Sequence, residues 1–181
     1  QLTMIKDNPT LVSNLTINDL WFNNEFLGKA RLLNTWDNSS NAVFLKTQII
    51  REGTAGIGEV FSADGFYYPF KERDNISVKV GFNRIKLKAF EPFLSEFVSQ
   101  IEGSTTGMLN ISGSVNEPVV EGSAKLQRTS LIVNYLNTRY SFSNSIDFEK
   151  TGIGFNKLIL YDTLGNKADI SGELHHDFFQ N

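Results

Sequence analysis

The sequence predicts a mostly β, antiparallel protein carrying one short amphipathic helix. Three observations lead there. Apolar and polar residues alternate along roughly a dozen short stretches, Asn, Gly and Pro punctuate the gaps between them, and one segment abandons alternation for helical spacing.

The early elements are the noisier ones: Leu15 with Ile17, Ala30 with Leu32, then Val43, Leu45, Thr47 and Ile49. Further on, Ile76, Val78, Val80 and Phe82 alternate with Ser77, Lys79 and Gly81, and the pattern runs on through Ile85 and Leu87. Phe90, Phe93, Leu94, Phe97, Val98 and Ile101 then fall at i, i+3, i+4, i+7, i+8 and i+11, which predicts a helix over 91–101. Pro92 suits its first turn and Gly103 its stop. A stripe of three Phe must lie against the dry face of a sheet, either closing a core or acting as a lid. Leu109, Ile111 and Val115 resume the alternation, and Asn116-Glu117-Pro118 reverses the chain. Val120, Gly122, Ala124 and Leu126 follow, then Leu131, Val133 and Tyr135, Tyr140 and Phe142, Ile146 and Phe148, Phe155, and lastly Ile170 and Leu174.

Composition narrows the function classes. Among 181 residues, 40% are hydrophobic and 20% charged, which describes a folded chain and, at this length, a single domain spanning 1–181. Seventeen Lys and Arg against 20 Asp and Glu give −3, a balance unsuited to a nucleic-acid binder. The absence of Cys removes thiolate metal sites, disulfides and cysteine nucleophiles. No apolar run approaches the ~18 residues of a spanning helix. The opening Gln1 and the ending through His175, His176 and Asp177 read as a segment of a larger protein.

No motif promises catalysis. Gly53-Thr54-Ala55-Gly56-Ile57-Gly58 lacks the order and the Lys-Ser/Thr ending of a phosphate loop, and reads as a turn. His175 and Asp177 would share one face of a strand, yet a metal would need ligands from elsewhere. No G-x-S-x-G elbow occurs, and the carboxylates of Asp147, Glu149, Asp162 and Asp169 are scattered. The expectation is a non-enzyme without metal or cofactor. Trp21 and Trp36 stand apart from the alternating pattern as candidate sugar or interface contacts.

The order of elements from Asp64 onward carries a resemblance. Gly65-Phe66-Tyr67-Tyr68-Pro69 leads into the strand ending Leu87-Lys88-Ala89-Phe90-Glu91-Pro92, and Gly107-Met108-Leu109-Asn110-Ile111-Ser112-Gly113 runs into Asn116-Glu117-Pro118-Val119-Val120-Glu121-Gly122. Tyr135-Leu136-Asn137-Thr138, Leu160-Tyr161-Asp162 and Ile170-Ser171-Gly172-Glu173-Leu174-His175-His176-Asp177-Phe178 follow. This resembles the TamB family, the translocation and assembly module of the AsmA-like superfamily, particularly its Bacteroidetes-type members. The likeness covers 64–181, whereas residues 1–63 match only as more strands of the same kind.

The resemblance implies an antiparallel sheet curled into a taco-like groove with an apolar interior, part of a protein anchored in the inner membrane and crossing the periplasm. It further implies carriage of phospholipid acyl chains toward the outer membrane, and a partner barrel of the outer-membrane assembly type. On that reading the groove is lined by Val78, Val80, Phe82, Leu109, Ile111, Val115, Val120, Leu126, Val133, Tyr135, Tyr140, Phe142, Phe148 and Phe155, with the 91–101 helix as lid. Alternation alone leaves the sheet free to be an open trough or a closed core. A scaffold acting by strand pairing and a glycan-binding sandwich using Trp21 and Trp36 are the rival functions.

Overall fold

A computed structural model describes residues 2–3, 10–53 and 56–175. Eleven strands follow one another: β1 (Leu2–Thr3), β2 (Thr10–Phe22), β3 (Glu25–Asp37), β4 (Ala42–Gly53), β5 (Gly56–Tyr67), β6 (Ile76–Lys86), β7 (Val98–Ser114), β8 (Glu117–Val133), β9 (Thr138–Glu149), β10 (Gly152–Asp162) and β11 (Lys167–His175). They form one antiparallel sheet whose spatial order is the chain order. Each strand pairs with its chain neighbours, as expected of segments joined by Asn- and Gly-bearing turns. Between β6 and β7 lie a 3-10 turn, Leu87–Phe90, and the helix α1, Glu91–Leu94.

The strands are long, and they are not straight. In β6, Asn83 and Arg84 together oppose only Thr106, because Phe82 pairs with Gly107 and Ile85 with Thr105. Gln127 and Arg128 of β8 likewise oppose Ser143, and Asn156 and Lys157 of β10 oppose Ser171. In the other half Asn18 and Asp19 of β2 together oppose Lys29, and Leu27 of β3 and Val60 of β5 are further inserted residues. Such insertions bend a strand and increase its twist. Register sets them along one line across the sheet, which therefore creases in mid-strand.

Each of the three later bulges is closed by the same device. The Arg84 N–H donates to Thr106 Oγ1 at 3.0 Å, the Arg128 N–H to Ser143 Oγ at 2.9 Å, and the Lys157 N–H to Ser171 Oγ at 3.3 Å. These hydroxyls take up amide protons that the ladder leaves unpaired. Arg84, Arg128 and Lys157 all sit at φ near 50°, a left-handed geometry costing such residues about 1–2 kcal/mol.

Bulges also account for the length of the helix, which is shorter than the predicted 91–101. Val98 and Ile101 are strand residues, with Val98 paired to Val133. Their spacing of three would place them on opposite faces of a regular strand. The extra residue at Gln100, itself at φ 50°, turns both to the same side. A bulged strand thus imitates helical periodicity, and here the continuous ladder to β8 wins over four further helical residues.

The fold buries little. Among the described residues, the buried apolar side chains are Ala30, Ala42, Ile49, Val60, Ile85, Ala89, Ile101, Ala124 and Leu158, nearly half of them alanine. The chain exposes 12247 Å², against about 8,800 Å² for a compact monomer of 20.4 kDa. Among the described residues no second layer covers the sheet, which is a single 11-stranded sheet and not a closed sandwich. Close strand approach in the crease demands glycine at Gly107, where a Cβ would run into the Ser123 carbonyl oxygen and the Phe82 ring.

Two turns are pinned by carboxylates. Asp37 accepts from the Ser40 and Ser39 hydroxyls and the Ser39 N–H, and Asp162 from Asn166 Nδ2 and the Leu164 and Asn166 N–H groups. These bonds hold both carboxyls below their usual 3.8. Their contribution is complete above that value and fades as pH falls through the lowered one. In a carboxyl-resolved NMR titration, both Asp37 and Asp162 are expected to titrate below free aspartate; ordinary midpoints would contradict the turn geometry. Urea denaturation should show Ser143→Ala costing about 1 kcal/mol, and Gly107→Ala about 2 kcal/mol or more, as steric conflict at a fixed backbone requires.

Candidate functional site: the inner face of the creased sheet

One face carries most of the buried side chains of the strands, Ala42 at the start of β4 having the opposite parity. Reading the register across strands, Ile17 pairs with Ala30, Ala30 with Ile49, Ile49 with Phe61, and Phe61 with Phe82. The same row continues through Gly107, Ala124, Ile146 and Phe155. A second row, one pleat away, runs Leu15, Leu32, Thr47, Ala63, Val80, Leu109, Gly122, Phe148 and Ile153. Neither row contains a charge from β2 to β10. Eight inter-strand steps of ~4.8 Å make each about 38 Å long.

Small residues and bulge neighbours form the floor, whereas the wall residues are only half-buried. Val78, Val80, Phe82, Leu109, Ile111, Val120, Leu126, Phe142, Phe148 and Phe155 all belong to that half-buried class. Buried alanines lie along the crease, and among the described residues no second layer covers them. On the floor, the Thr105 and Thr129 hydroxyls are buried without a hydrogen-bond partner.

All but two of the predicted lining residues fall on this inner face. Val133 and Tyr140 join those above through their pairing with Val98 and Leu131. Val115 and Tyr135 do not. Val115 is 54% exposed in the β7–β8 turn, its N–H donating to Asn75 Oδ1 at 2.9 Å, and Tyr135 is 96% exposed in the β8–β9 turn. Alternation was carried past the strand ends, where no pleat orients a side chain.

The predicted lid is a ledge along one end of the sheet. Hairpin connectivity places the β2–β3, β4–β5, β6–β7, β8–β9 and β10–β11 connections at that end. Asn23 Nδ2 donates to the Ala89 carbonyl at 2.7 Å, Lys86 Nζ meets the Glu25 carboxylate at 2.7 Å, and Phe22 contacts both Phe90 and Phe93 with ring centroids 6.2 Å apart. On the other side, Glu91 accepts from the Gln100 N–H at 2.9 Å and the Ile101 N–H at 3.3 Å, and Asn134 bonds the Ser95 and Phe97 carbonyls at 2.9 Å. The insertion therefore straps β2–β3 to β8–β9. Phe93 and Phe97 do not cover the trough; they are 70% and 67% exposed, and with Trp21, Ile57, Tyr135 and Leu164 make this rim apolar.

Trp21 and Trp36 do not form a common site. Trp21 tilts against Phe26 at one end, while Trp36 donates to Asn38 Oδ1 and meets Phe70 edge-on at the other. Phe26 and Trp36 lie ten residues apart on β3, ~33 Å along a strand. No group of metal-ligating side chains gathers among the described residues. His175 is the last residue of β11, and His176 and Asp177 lie outside the described residues. Sequence reasoning passed over the bulge triplets, although the parity of the inner positions changes across each: Phe82 to Ile85, Leu126 to Thr129, Phe155 to Leu158.

Comparison with known proteins gives no match to a family model, to a curated protein or to a solved structure.

The strap rests on Glu91, whose carboxylate holds two amides that no ladder bond satisfies. Glu91→Ala is expected to speed amide exchange at Gln100 and Ile101 about tenfold while β2–β6 keep their protection, because charge-assisted bonds to backbone are the stronger class. Unchanged exchange at both amides would show that the ledge is held by other contacts.

Proposed function

We propose that this chain is a conduit for lipid acyl chains, part of a periplasmic, TamB-like envelope protein. The observation that carries the reading is the pair of charge-free inner rows crossing nine strands, many of whose larger apolar residues stay half-exposed. An acyl chain in the trough would supply the contacts that the missing second layer does not. Each buried CH₂ is worth roughly 0.8 kcal/mol. A chain moving along an even row exchanges one apolar contact for another and needs no reacting group. The apolar rim at the strapped end would receive tails from a lipid surface, with Trp21 and Tyr135 suited to its polar–apolar boundary.

A second reading is favoured by one feature. β11 presents an outer edge that pairs with nothing among the described residues, and such edges accept further strands. This chain would then also act as a scaffold toward an outer-membrane assembly-type barrel, by strand addition.

Photo-crosslinking amino acids decide the first reading. Placed at Ile111, Val133 or Phe142 they are expected to capture phospholipid, and at Ser112 or Ser141 to capture little. Equal labelling of the two faces would reject the conduit. Leu109→Asp is a second check, since a carboxylate in the inner row should reduce co-purifying lipid severalfold through its desolvation cost.

A further inference from the structure

The convex side of the crease is built for charge. Arg84, Arg128 and Lys157 hold φ near 50° although an amide residue, Asn83, Gln127 or Asn156, precedes each. Asn is among the residues that tolerate this geometry best, and a long cationic side chain gains nothing from it. The amide stands next to the left-handed position at every repeat, and the cation occupies it. A conformational cost repeated three times with the same charge points to the side chain, not the backbone, as what the position serves.

Register lines these cations up. Arg84 opposes Thr106, Thr106 opposes Lys125, and Lys125 opposes Ser145; the Lys157 bulge continues that row and opposes Ser171. Arg128 lies one pleat away, opposite Ser143. All four cations are exposed. Among the described residues the ion pairs are Lys86 with Glu25 and Lys167 with Asp169, so none of the four is neutralised in one. Glu59, bonded by Gln48, ends the row on β5, and Asp147 and Glu173 lie in the next pleat toward the opposite end. On β6 to β10 the row itself holds cations and hydroxyls, with Glu102, which accepts from Ser130 Oγ, beside Arg128 in the neighbouring pleat, on a chain whose net charge is −3.

Spacing selects the partner. Arg84, Lys125 and Lys157 occupy alternate strands, ~10 Å apart. Charges on one face of an extended strand repeat every ~6.7 Å; every third phosphate of a nucleic-acid strand would fall at ~10 Å, but a chain with net charge −3 is unsuited to a nucleic-acid backbone. Seven residues of α-helix rise ~10.5 Å. We infer that the convex crease is a docking surface for an acidic α-helix of a partner protein, its carboxylates at i, i+7 and i+14 meeting Arg84, Lys125 and Lys157. The helix lies along the ridge, across the strands, with Arg128 available to a flanking acid. This site stands apart from the inner face and does not depend on the lipid reading.

The test uses the full chain and a fluorescent helical peptide with Glu at i, i+7 and i+14, against a peptide of equal composition with the three Glu on different faces. Anisotropy at low salt should show the patterned peptide binding about tenfold more tightly, with the difference shrinking as salt is added, as several exposed ion pairs imply. The triple variant Arg84→Asn, Arg128→Asn, Lys157→Asn should keep or raise the melting temperature, since Asn suits the left-handed positions, and lose about tenfold in binding. Lys125→Gln, on regular strand, should lose about threefold and decides the matter if the triple variant fails to fold. Equal affinity for the two peptides, no binding of either, unchanged binding by a folded variant, or a preference for anionic phosphatidylglycerol vesicles over both peptides would each overturn the proposal.

Discussion

A single backbone device governs this protein: an extra residue in mid-strand whose amide proton is taken by a hydroxyl on the next strand. Without it, strands of 11 to 17 residues would make a broad twisted sheet with both faces in water. With it repeated on β6, β8 and β10, the sheet turns along one line and acquires an inside. The hydroxyl matters as much as the insertion. An amide left unpaired beside the floor of the crease would cost about 1–3 kcal/mol at each strand, and Thr106, Ser143 and Ser171 remove that cost with one side chain apiece.

The crease also divides the work of stability from the work of binding. At the fold line Ala30 and Ala124 are buried, and Gly107 leaves no room for a Cβ beside the Ser123 carbonyl and the Phe82 ring. One pleat away from that line, larger residues such as Leu109 and Phe148 stay half-exposed. A globular domain would close such walls on each other, gaining about 25 cal/mol per Å² of apolar surface removed from water. Here such residues stay half-exposed on strands tied into one continuous ladder, with no second layer among the described residues to cover them.

Much of the fold was legible in the sequence because strand alternation is local. The inner positions of β6, β7 and β8 could be read directly from Val78, Val80, Leu109, Ile111 and Val120, since each has a polar neighbour on either side. What was not legible was how the period breaks. A step of three between apolar residues has two physical sources, a helical turn and a bulged strand, and composition does not separate them. The step from Val98 to Ile101 continued a true helix start at Glu91 and Pro92, so it was assigned to that helix. The ladder with β8 and the left-handed Gln100 decide otherwise, and both depend on a strand some thirty residues away. Val115 and Tyr135 fail for a related reason: a pleat exists only where a neighbour is hydrogen-bonded, and turns have none. The cations of the convex face were hidden because a lone Arg or Lys among Ser and Asn looks like ordinary surface until register places Arg84, Lys125 and Lys157 in one row with Arg128 a pleat away.

The direction of that row bears on how such a protein could be extended. Strand order equals chain order, the fold line runs across the strands, and each later hairpin contributes one bulge, one hydroxyl, one cation and two inner rungs. Adding a hairpin therefore lengthens both the inner trough and the outer ridge by ~10 Å without altering either cross-section. A sandwich or barrel does not have this freedom, because closure ties strand number to diameter. An open creased sheet separates length from width: the crease sets the width of the trough once, and the number of hairpins sets how far it reaches.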